Sequence, residues 1–259
     1  MHSTPHFLIK NPEQSTTKPH PMLNDYYALD SQRQSTINQL FDQVAPDYHW
    51  ISQALSFGSG NWHRTNTLRQ SGFSQGMNVL DVACGPGTVA RCAQDLVKPE
   101  GYVVGHDPSR GMLQEAKKNG LRRLSQGLAE HLPFQDSIFD RVTMGYALRH
   151  VSDLQHTFTE YFRVLKPGGR VLILEISRPR SLVQMRLAKF FLKTIIPRIA
   201  RYKTRNQEAL TIMEYFWDTI EHCVSPEIIL TTLKRSGFSQ VNVAEFCGGL
   251  IKDYHATKL

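Results

Sequence analysis

The chain has 259 residues, 41% of them hydrophobic, and a formal net charge of +7. This length is enough for one well-formed hydrophobic core, so we expect a single domain with an appendage. No apolar run approaches the ~20 residues of a membrane-spanning helix, and the four cysteines have neither zinc-ligand spacing nor the density of a disulfide framework. We therefore expect no integral membrane helix, no metal ion and a location in the reducing cytoplasm.

The first 36 residues differ in composition from the rest. Residues 1–36 are rich in His, Pro, Ser, Thr and Gln and have little apolar periodicity. They lack the apolar core of a secretory signal and the arginines of a transit peptide. This composition predicts a flexible arm, or a lid that becomes partly helical near its end, ahead of a main domain at 37–259.

A glycine-rich segment at 78–90 is the most informative stretch of the chain. A short apolar run at 79–82 predicts a buried strand, Gly85 and Gly87 permit a tight loop close to a ligand, and a helix is expected from Thr88. The loop lacks the lysine of a phosphate-binding loop and the third glycine of a dinucleotide fingerprint. An adenosine-like ligand without phosphates is favoured, and a simple tight turn is the alternative.

A second strand that ends in an acidic residue is predicted one strand-and-helix unit later. Residues 102–106 predict a strand that ends at Asp107, which is 26 residues after Asp81. An acid at this place in nucleotide-binding folds accepts hydrogen bonds from ribose hydroxyls. Ser109 predicts the N-cap of a helix that Gly120 ends. The alternative for Asp107 is that it caps a turn.

The remaining pattern alternates strands and helices. Ser152 to Gln155 have the form of a capping box, and Lys-Pro-Gly-Gly at 166–169 predicts a turn before a buried strand. Later elements are predicted as a helix at 208–220, a helix from the cap at Ser225 to about Arg235, and strands at 240–246 and 250–255.

The positive charge is concentrated in one segment. Residues 178–205 contain nine Lys or Arg and no acid, which leaves 21 bases against 23 acids elsewhere. Apolar residues alternate with these bases, and Pro197 predicts a kink or a boundary. Three interpretations stay open for this segment, namely a substrate lid packed on the core, a lid that also makes peripheral membrane contact, and the face of a homodimer. Nucleic acid is not an expected partner because aromatic stacking platforms are few.

Five segments together resemble the class I S-adenosylmethionine-dependent methyltransferases, and within them the UbiE/Coq5-like ubiquinone/menaquinone C-methyltransferase group. These segments are 41–48, 55–58, 78–90, 129–134 and 147–151. The resemblance implies an α/β fold with a doubly wound, mostly parallel, seven-stranded Rossmann-like sheet whose last strand is antiparallel. It also implies a helical N-terminal segment and a helical substrate-lid insert at 178–222.

The resemblance further implies S-adenosylmethionine as the cofactor. Asp81 would orient the loop and the amino-acid end, Asp107 would bind the ribose, and Tyr48 would close over the methionine part. The family usually has an acid or amide at the position of Leu128, so the adenine would be held by the backbone of Ala129 or by Glu130. The full set of expected cofactor residues is Tyr48, Asp81, Ala83, Gly85, Gly87, Asp107, Pro108, Met112, Ala129, Glu130 and Tyr146.

Arg149 and His150 are the expected catalytic residues. Methylating an aromatic ring carbon needs a phenol that moves toward phenolate and a base for the ring proton, and Arg149 and His150 match these two needs. The alternatives are a structural ion pair for Arg149 and a backbone-bonded helix-start residue for His150, which stands where quinone methyltransferases usually carry Asn.

The predicted function is methyl transfer to a small aromatic or prenylated quinone-type acceptor at ring carbon. The substitution at His150 and the loss of a polar residue at Leu128 keep a second reading open, which is O- or N-methylation in secondary metabolism. A nicotinamide-dependent oxidoreductase and a binding protein without catalysis are the remaining alternatives.

Overall fold

Seven strands form one sheet in the computed structural model, which describes residues 17–55, 60–203 and 207–259. The strands are β1 (Asn78–Val82), β2 (Tyr102–Asp107), β3 (Leu124–Gln126), β4 (Phe139–Gly145), β5 (Leu165–Ile176), β6 (Ser239–Phe246) and β7 (Ile251–Thr257). Their order is β3-β2-β1-β4-β5-β7-β6. The first five are parallel, and β7 is antiparallel to both β5 and β6. The predicted doubly wound sheet is confirmed.

Helices cover both faces of the sheet and one end of it. They are α1 (Arg33–Val44), α2 (Tyr48–Leu55), α3 (Gly60–Gln70), α4 (Thr88–Val97), α5 (Arg110–Lys118), α6 (Leu154–Val164), α7 (Leu182–Phe190), α8 (Ile196–Lys203), α9 (Gln207–His222) and α10 (Pro226–Arg235). A π-helical stretch, Phe191–Ile195, joins α7 to α8. None of the described helices is both long and apolar enough to cross a membrane.

Alternation along the strands divides the core between the two faces. Val79 and Leu172 belong to a cluster with α3, α4 and α5, whereas Leu80 and Val171 belong to a cluster with α6 and α10. Successive side chains of a strand point to opposite faces, so strands that are apolar at every position must be covered on both.

A third apolar cluster lies outside the sheet. It joins α1 and α2 to α8 and α9 through buried side chains such as Ile37, Ile51, Ile196 and Phe216. We call the helices of this cluster, together with α7, the helical cap. The cap brings the N-terminal segment against the basic segment that follows β5.

Three local details differ from the sequence prediction. Asp153, not Ser152, caps α6, because its carboxylate accepts from the backbone of His156 while the Ser152 amide donates to Glu130. The Lys-Pro-Gly-Gly segment forms a bulge within β5 and not a turn before it. Leu165 pairs with Phe139 of β4, and the next pair is Arg170 with Arg141, so the residues between Leu165 and Arg170 bulge out of the ladder. The π-helical stretch itself was not predicted, but α8 begins at Ile196, so Pro197 lies at a boundary, which is one of its two predicted roles.

Some predictions fall on residues outside the described ranges. These are residues 1–16 of the arm at 1–36, residues 56–58 of the segment 55–58, and residues 204–205 at the end of the basic segment. The part of the arm from Thr17 onward is packed on the domain: Thr17 and Pro19 accept backbone hydrogen bonds from Leu154 and Val224, at 2.6 and 2.8 Å.

Candidate active site

A cavity of about 810 Å³ lies between the sheet and the helical cap. Its polar wall comes from the loops after β1, β2 and β4, represented by Gly85, Pro108 and Ala147. These loops meet because the carboxyl ends of parallel strands share one edge of the sheet, where ligands of open α/β sheets bind. Twelve of the thirteen predicted site residues line this cavity, and Gly87 is the exception.

Gly85 and Gly87, in the loop after β1, have different structural roles. A Cβ on Gly85 would meet nothing within 4 Å, so this residue leaves open space at the cavity wall, with φ at +54°. A Cβ on Gly87 would lie 2.0 Å from Cδ1 of Leu121, and φ is +82°. Gly87 therefore serves the packing of the loop, while Gly85 leaves room for a ligand.

Two residues with side chains also adopt left-handed backbone conformations at the wall. Ala83 has φ +51° and Tyr146 has φ +62°, directly after β1 and β4. Such conformations cost about 1–3 kcal/mol each and persist where the surrounding structure fixes them. The Tyr146 amide donates to Leu174 at 2.6 Å, and its carbonyl accepts from Arg149 at 2.9 Å.

Asp81 is a fully buried acid with one open acceptor. Its Oδ1 accepts from the Thr143 hydroxyl at 2.6 Å, while Oδ2 has no donor at normal geometry among the described residues. Burial raises the pKa of Asp81 to about 7, against the hydrogen bond from Thr143. A cationic group in the cavity would relieve this cost, and the ammonium of the cofactor's amino-acid end is such a group.

Asp107 joins the end of β2 to the glycine loop. Its Oδ1 accepts from the amide of Ser109 at 2.8 Å and its Oδ2 from the amide of Gly85 at 2.7 Å. Burial raises the pKa of Asp107 to about 6, and these two bonds oppose the shift. Each carboxylate oxygen can accept a second hydrogen bond, so two acceptor positions remain for a pair of ribose hydroxyls.

The expected adenine wall is mostly apolar. Pro108, Met112, Leu128 and Ala129 all line the cavity. Glu130 lines it too, but its Oε1 accepts from the amides of Ser152 and Asp153, at 2.5 and 3.3 Å. That carboxylate oxygen therefore anchors the start of α6, and among the predicted adenine contacts the backbone of Ala129 is favoured.

Arg149 forms a buried ion pair with Glu175. Its Nη1 donates to Glu175 Oε1, and its Nε donates to the Thr219 hydroxyl at 3.1 Å. The side chains of Arg149 and Glu175 are 4% and 0% exposed. Nη2 has no hydrogen-bond partner within the described part of the chain, so this nitrogen is the donor that can serve a ligand.

His150 is enclosed by aromatic rings. Its imidazole stacks on Tyr215 with ring centroids 5.3 Å apart, and Phe41 meets it edge-on at the same distance. Nδ1 lies 3.2 Å from the Tyr215 hydroxyl. Burial, together with the positive charge of Arg149, lowers the pKa of His150 well below its usual value. The imidazole is therefore neutral at pH 7, and its surroundings disfavour the protonated form.

This geometry agrees with what comparisons with known proteins find. The model of the ubiE/COQ5 methyltransferase family matches residues 28–258. The chain belongs to this family. A demethylmenaquinone methyltransferase of Symbiobacterium thermophilum is 33% identical over 88% of this chain and 94% of its own length. A ubiquinone/menaquinone biosynthesis C-methyltransferase UbiE of Rickettsia bellii is 31% identical over 88% and 95%.

Solved structures show the same fold at low identity. A SAM-dependent methyltransferase of Thermotoga maritima has a TM-score of 0.61 at 17% identity and covers 85% of this chain and 99% of its own. One from Aquifex aeolicus has a TM-score of 0.55 at 19% identity, with 76% and 89% covered. The predicted family, the enzyme class and the cofactor S-adenosylmethionine are confirmed.

In this ubiE/COQ5 family member, Arg64 of the cavity wall and Asp42, which bonds to a cavity residue, were not among the predicted site residues. Arg64 of α3 is buried, lines the cavity and places its guanidinium 5.2 Å from the centre of the Tyr146 ring. Asp42 accepts from the Ser109 hydroxyl at 2.6 Å and from the Gly111 amide at 2.7 Å, which ties α1 to the start of α5. Asp42 lay within a segment that carried the resemblance, but Arg64 had no such signal.

The described part of the arm also reaches the site of this methyltransferase. His20 is buried, and its Nε2 lies 2.9 Å from Nη2 of Arg33. The same Arg33 nitrogen donates to the carbonyl of Arg149 at 3.3 Å. Burial and Arg33 lower the pKa of His20 to about 4, so it is a neutral acceptor for Arg33. Arg33, which belongs to the predicted arm at 1–36, therefore contacts Arg149 of the main domain and is itself held by His20.

The far side of the cavity is apolar. The basic segment and α9 contribute Phe190, Phe191, Leu192, Ile195, Phe216 and Ile220 to the wall. A single cavity thus has a polar end that fits the cofactor and an apolar end that fits a lipophilic acceptor.

Proposed function

We propose that this chain methylates a ring carbon of a lipophilic, quinone-type aromatic acceptor. One observation carries the proposal: the cofactor end and the apolar end belong to the same cavity, with His150 and Arg149 in its wall. The related enzymes named for demethylmenaquinone and ubiquinone/menaquinone support the acceptor class. Cytoplasmic location is part of the proposal and is consistent with four free cysteines.

The chain's own residues bind and orient the reactants. When bound, S-adenosylmethionine supplies an electrophilic methyl group. Asp81 holds the amino-acid end, Asp107 holds the ribose, and the aromatic wall excludes water from the acceptor. Holding two reactants in line can account for about 7–11 kcal/mol of the barrier in favourable cases, so no covalent nucleophile is required.

Methylation at a ring carbon requires that the negative charge on the phenol oxygen is stabilised and that the proton of the methylated carbon is removed. Arg149 Nη2 donates to the oxygen of the phenol as it moves toward phenolate, while Glu175, Tyr146 and Thr219 hold the guanidinium in place. Once the methyl group has bonded to the ring carbon, that carbon loses its proton to the neutral imidazole of His150 and the ring becomes aromatic again. The Tyr215 hydroxyl fixes the orientation of the ring through Nδ1.

O-methylation of a specialised metabolite is the second candidate. It needs only removal of a hydroxyl proton, and the imidazole of His150 in the cavity wall is a base placed to take that proton. The two candidates differ in the methylated atom, so the product itself separates them.

Methyl transfer from labelled cofactor to prenylated benzoquinol and naphthoquinol acceptors tests the proposal. We expect a product whose NMR spectrum shows a methyl group on the ring carbon and loss of one ring proton. A methoxy product would instead support O-methylation. Lack of any product with either acceptor class, while calorimetry shows that cofactor binds, would reject the proposed acceptors.

His150→Gln tests the role of the imidazole. Glutamine retains polarity but cannot act as a base, so turnover should fall about 10²–10⁴-fold, the range that general base catalysis contributes. Cofactor affinity should stay within about twofold because the imidazole is assigned to the acceptor and not to the cofactor. Equal loss of cofactor binding and turnover would contradict this assignment.

A further inference from the structure

The helix after β5 exposes an unusual apolar surface. Half of the ten exposed large apolar side chains in the described ranges lie between residues 182 and 199. Helix α7 contains no buried residue. The exposed side chains are Leu182, Val183, Leu187, Phe190 and Ile199, at 75, 66, 63, 56 and 42% exposure. Apolar exposure on this scale marks an interaction site.

The apolar side chains of α7 form one stripe. At 3.6 residues per turn, Leu182, Val183, Leu187 and Phe190 fall within an arc of about 140°. Arg186 lies in the middle of this arc and is exposed. The side of α7 that carries Gln184 and Ala188 faces the cavity instead. The helix therefore separates the cavity from an amphipathic outer surface.

Basic residues surround this stripe. Lys189, Lys193 and Arg180 pair with acids outside the segment, at 2.9, 2.7 and 2.8 Å. Arg178, Arg186 and Arg198 are exposed and form no ion pair with any described residue. Exposed apolar side chains interleaved with unpaired cations match the boundary between lipid headgroups and acyl chains.

The stripe also reaches the cavity. Leu187 and Phe190 are more than half exposed and line the cavity as well, so the cavity opens at this surface. A second copy of the chain fits the surface less well, because a two-fold interface would bring the cationic patch against itself. Residues 178–205 offer no acid to pair with it.

We propose that α7 and its flanking basic residues dock on an anionic membrane surface and place the cavity mouth against the bilayer. This lid surface comprises Leu182, Val183, Leu187, Phe190 and Ile199 with Arg178, Arg186 and Arg198. The proposal adds a partner to the proposed function: a lipophilic acceptor enters from the bilayer without crossing water. Docking itself does not require methyl transfer.

Sedimentation with vesicles of known composition tests the proposal. We expect the full chain to bind vesicles of equal parts phosphatidylcholine and phosphatidylglycerol, to bind pure phosphatidylcholine weakly, and to be released by high salt. No binding to the anionic vesicles would overturn it.

Two variants and a control assign the binding to the lid surface. Arg186→Gln with Arg198→Gln should lower the partition coefficient about 25-fold, since a basic residue near an anionic surface contributes about fivefold. Leu182→Ser with Val183→Ser removes apolar contact at two residues outside the cavity wall and should also lower binding. Lys117→Gln with Arg122→Gln makes the same change in net charge at exposed positions beyond the sheet edge and should leave binding unchanged.

Calorimetry with S-adenosylmethionine runs in parallel on every variant. Unchanged cofactor affinity shows that the variants are folded and separates failure of docking from failure of the proposed function. If the control lowers vesicle binding as much as the arginine pair does, the charge acts non-specifically and the assignment fails. If the lid variants change only oligomeric state by light scattering, the surface is a dimer face and membrane docking is rejected.

Discussion

At the scale of single residues, the two glycines of the loop after β1 have different roles, one in packing and the other in cofactor binding. Gly87→Ala should destabilise the fold strongly, because its Cβ would collide with Leu121 and φ is +82°. Gly85→Ala has no neighbour to collide with, so its cost is the left-handed strain of about 1–2 kcal/mol. The new methyl group would occupy space at the cavity wall and weaken cofactor binding.

Thermal unfolding and calorimetry of both variants check this prediction. The two variants should rank in opposite order in the two assays. Gly87→Ala should have the lower unfolding temperature, whereas Gly85→Ala should have the lower affinity for the cofactor. The same rank order in both assays would contradict separate roles for the two glycines.

Asp81 should make stability depend on pH. Its pKa is about 7 in the folded chain against 3.8 as the ordinary value, so the folded state holds the proton more tightly than the unfolded state. Stability contributed by this group is therefore present at low pH and is lost as pH rises from about 4 to about 7. Relative to Asp81→Asn, the wild-type chain should lose up to about 4 kcal/mol across this window.

Urea unfolding of the two proteins at a series of pH values measures this difference. Asp81→Asn should also weaken binding of the cationic cofactor about tenfold or more, since a charged hydrogen bond is lost. Asp95→Asn is the matched control because the Asp95 carboxylate is 79% exposed. A wild-type profile parallel to that of Asp81→Asn would disprove the assignment.

At the scale of elements, the ion pair of Arg149 and Glu175 fastens the turn after β4 to the end of β5. Glu175→Gln leaves a buried guanidinium without its counter-charge, which should cost about 3–5 kcal/mol of unfolding free energy. Glu115→Gln removes the partly exposed partner of Lys118 in α5, and such surface pairs contribute about 0–1 kcal/mol.

Equilibrium unfolding in urea compares these two substitutions directly. If Glu175→Gln costs no more than Glu115→Gln, the buried pair does not hold the turn. Turnover of the Glu175 variant should fall further than its stability explains, because Arg149 Nη2 then loses its fixed position at the acceptor.

The sequence predicted the elements far better than their mutual contacts. β1, β2, α4 and α5 follow from apolar runs, glycines and the Ser109 cap, all of which act within a few residues. Asp81 and Asp107 were predictable because each lies at the carboxyl end of its own strand. An ion pair was the stated alternative for Arg149, but its partner Glu175 was not predictable, and neither was the contact of His20 with Arg33, since these contacts depend on how distant segments pack.

The residues that contact adenine are the part of the site that is hardest to predict from single positions of the sequence. Glu130 was predicted as a substitute for the polar residue missing at Leu128, and its contact with adenine stays a prediction. Its Oε1 holds the start of α6. Nothing local in the sequence indicates that the amides of Ser152 and Asp153 lie close to it. The same contact explains why the capping box predicted at Ser152 gives way to a cap at Asp153.

At the scale of the whole molecule, the cavity divides the structure into a sheet with two packed faces and a helical cap. The sheet clusters share strands, whereas the cap cluster joins α1, α2, α8 and α9 around one side of an 810 Å³ cavity. Elements that border open space have fewer apolar contacts and open at lower free energy than core strands. The cap should therefore be the more dynamic part of this methyltransferase.

Hydrogen exchange followed by mass spectrometry measures this difference. In the free protein, amides of α7 and α8 should exchange faster than those of β1, β4 and β5. The cofactor should mainly protect the loops after β1 and β2, because Gly85, Asp107 and Ser109 lie there. A prenylated quinone analogue added with the cofactor should extend protection to α7, whose Leu187 and Phe190 line the apolar end. Protection of α7 by cofactor alone would contradict this division, because it would place the cofactor against the cap and leave the apolar end without a separate ligand.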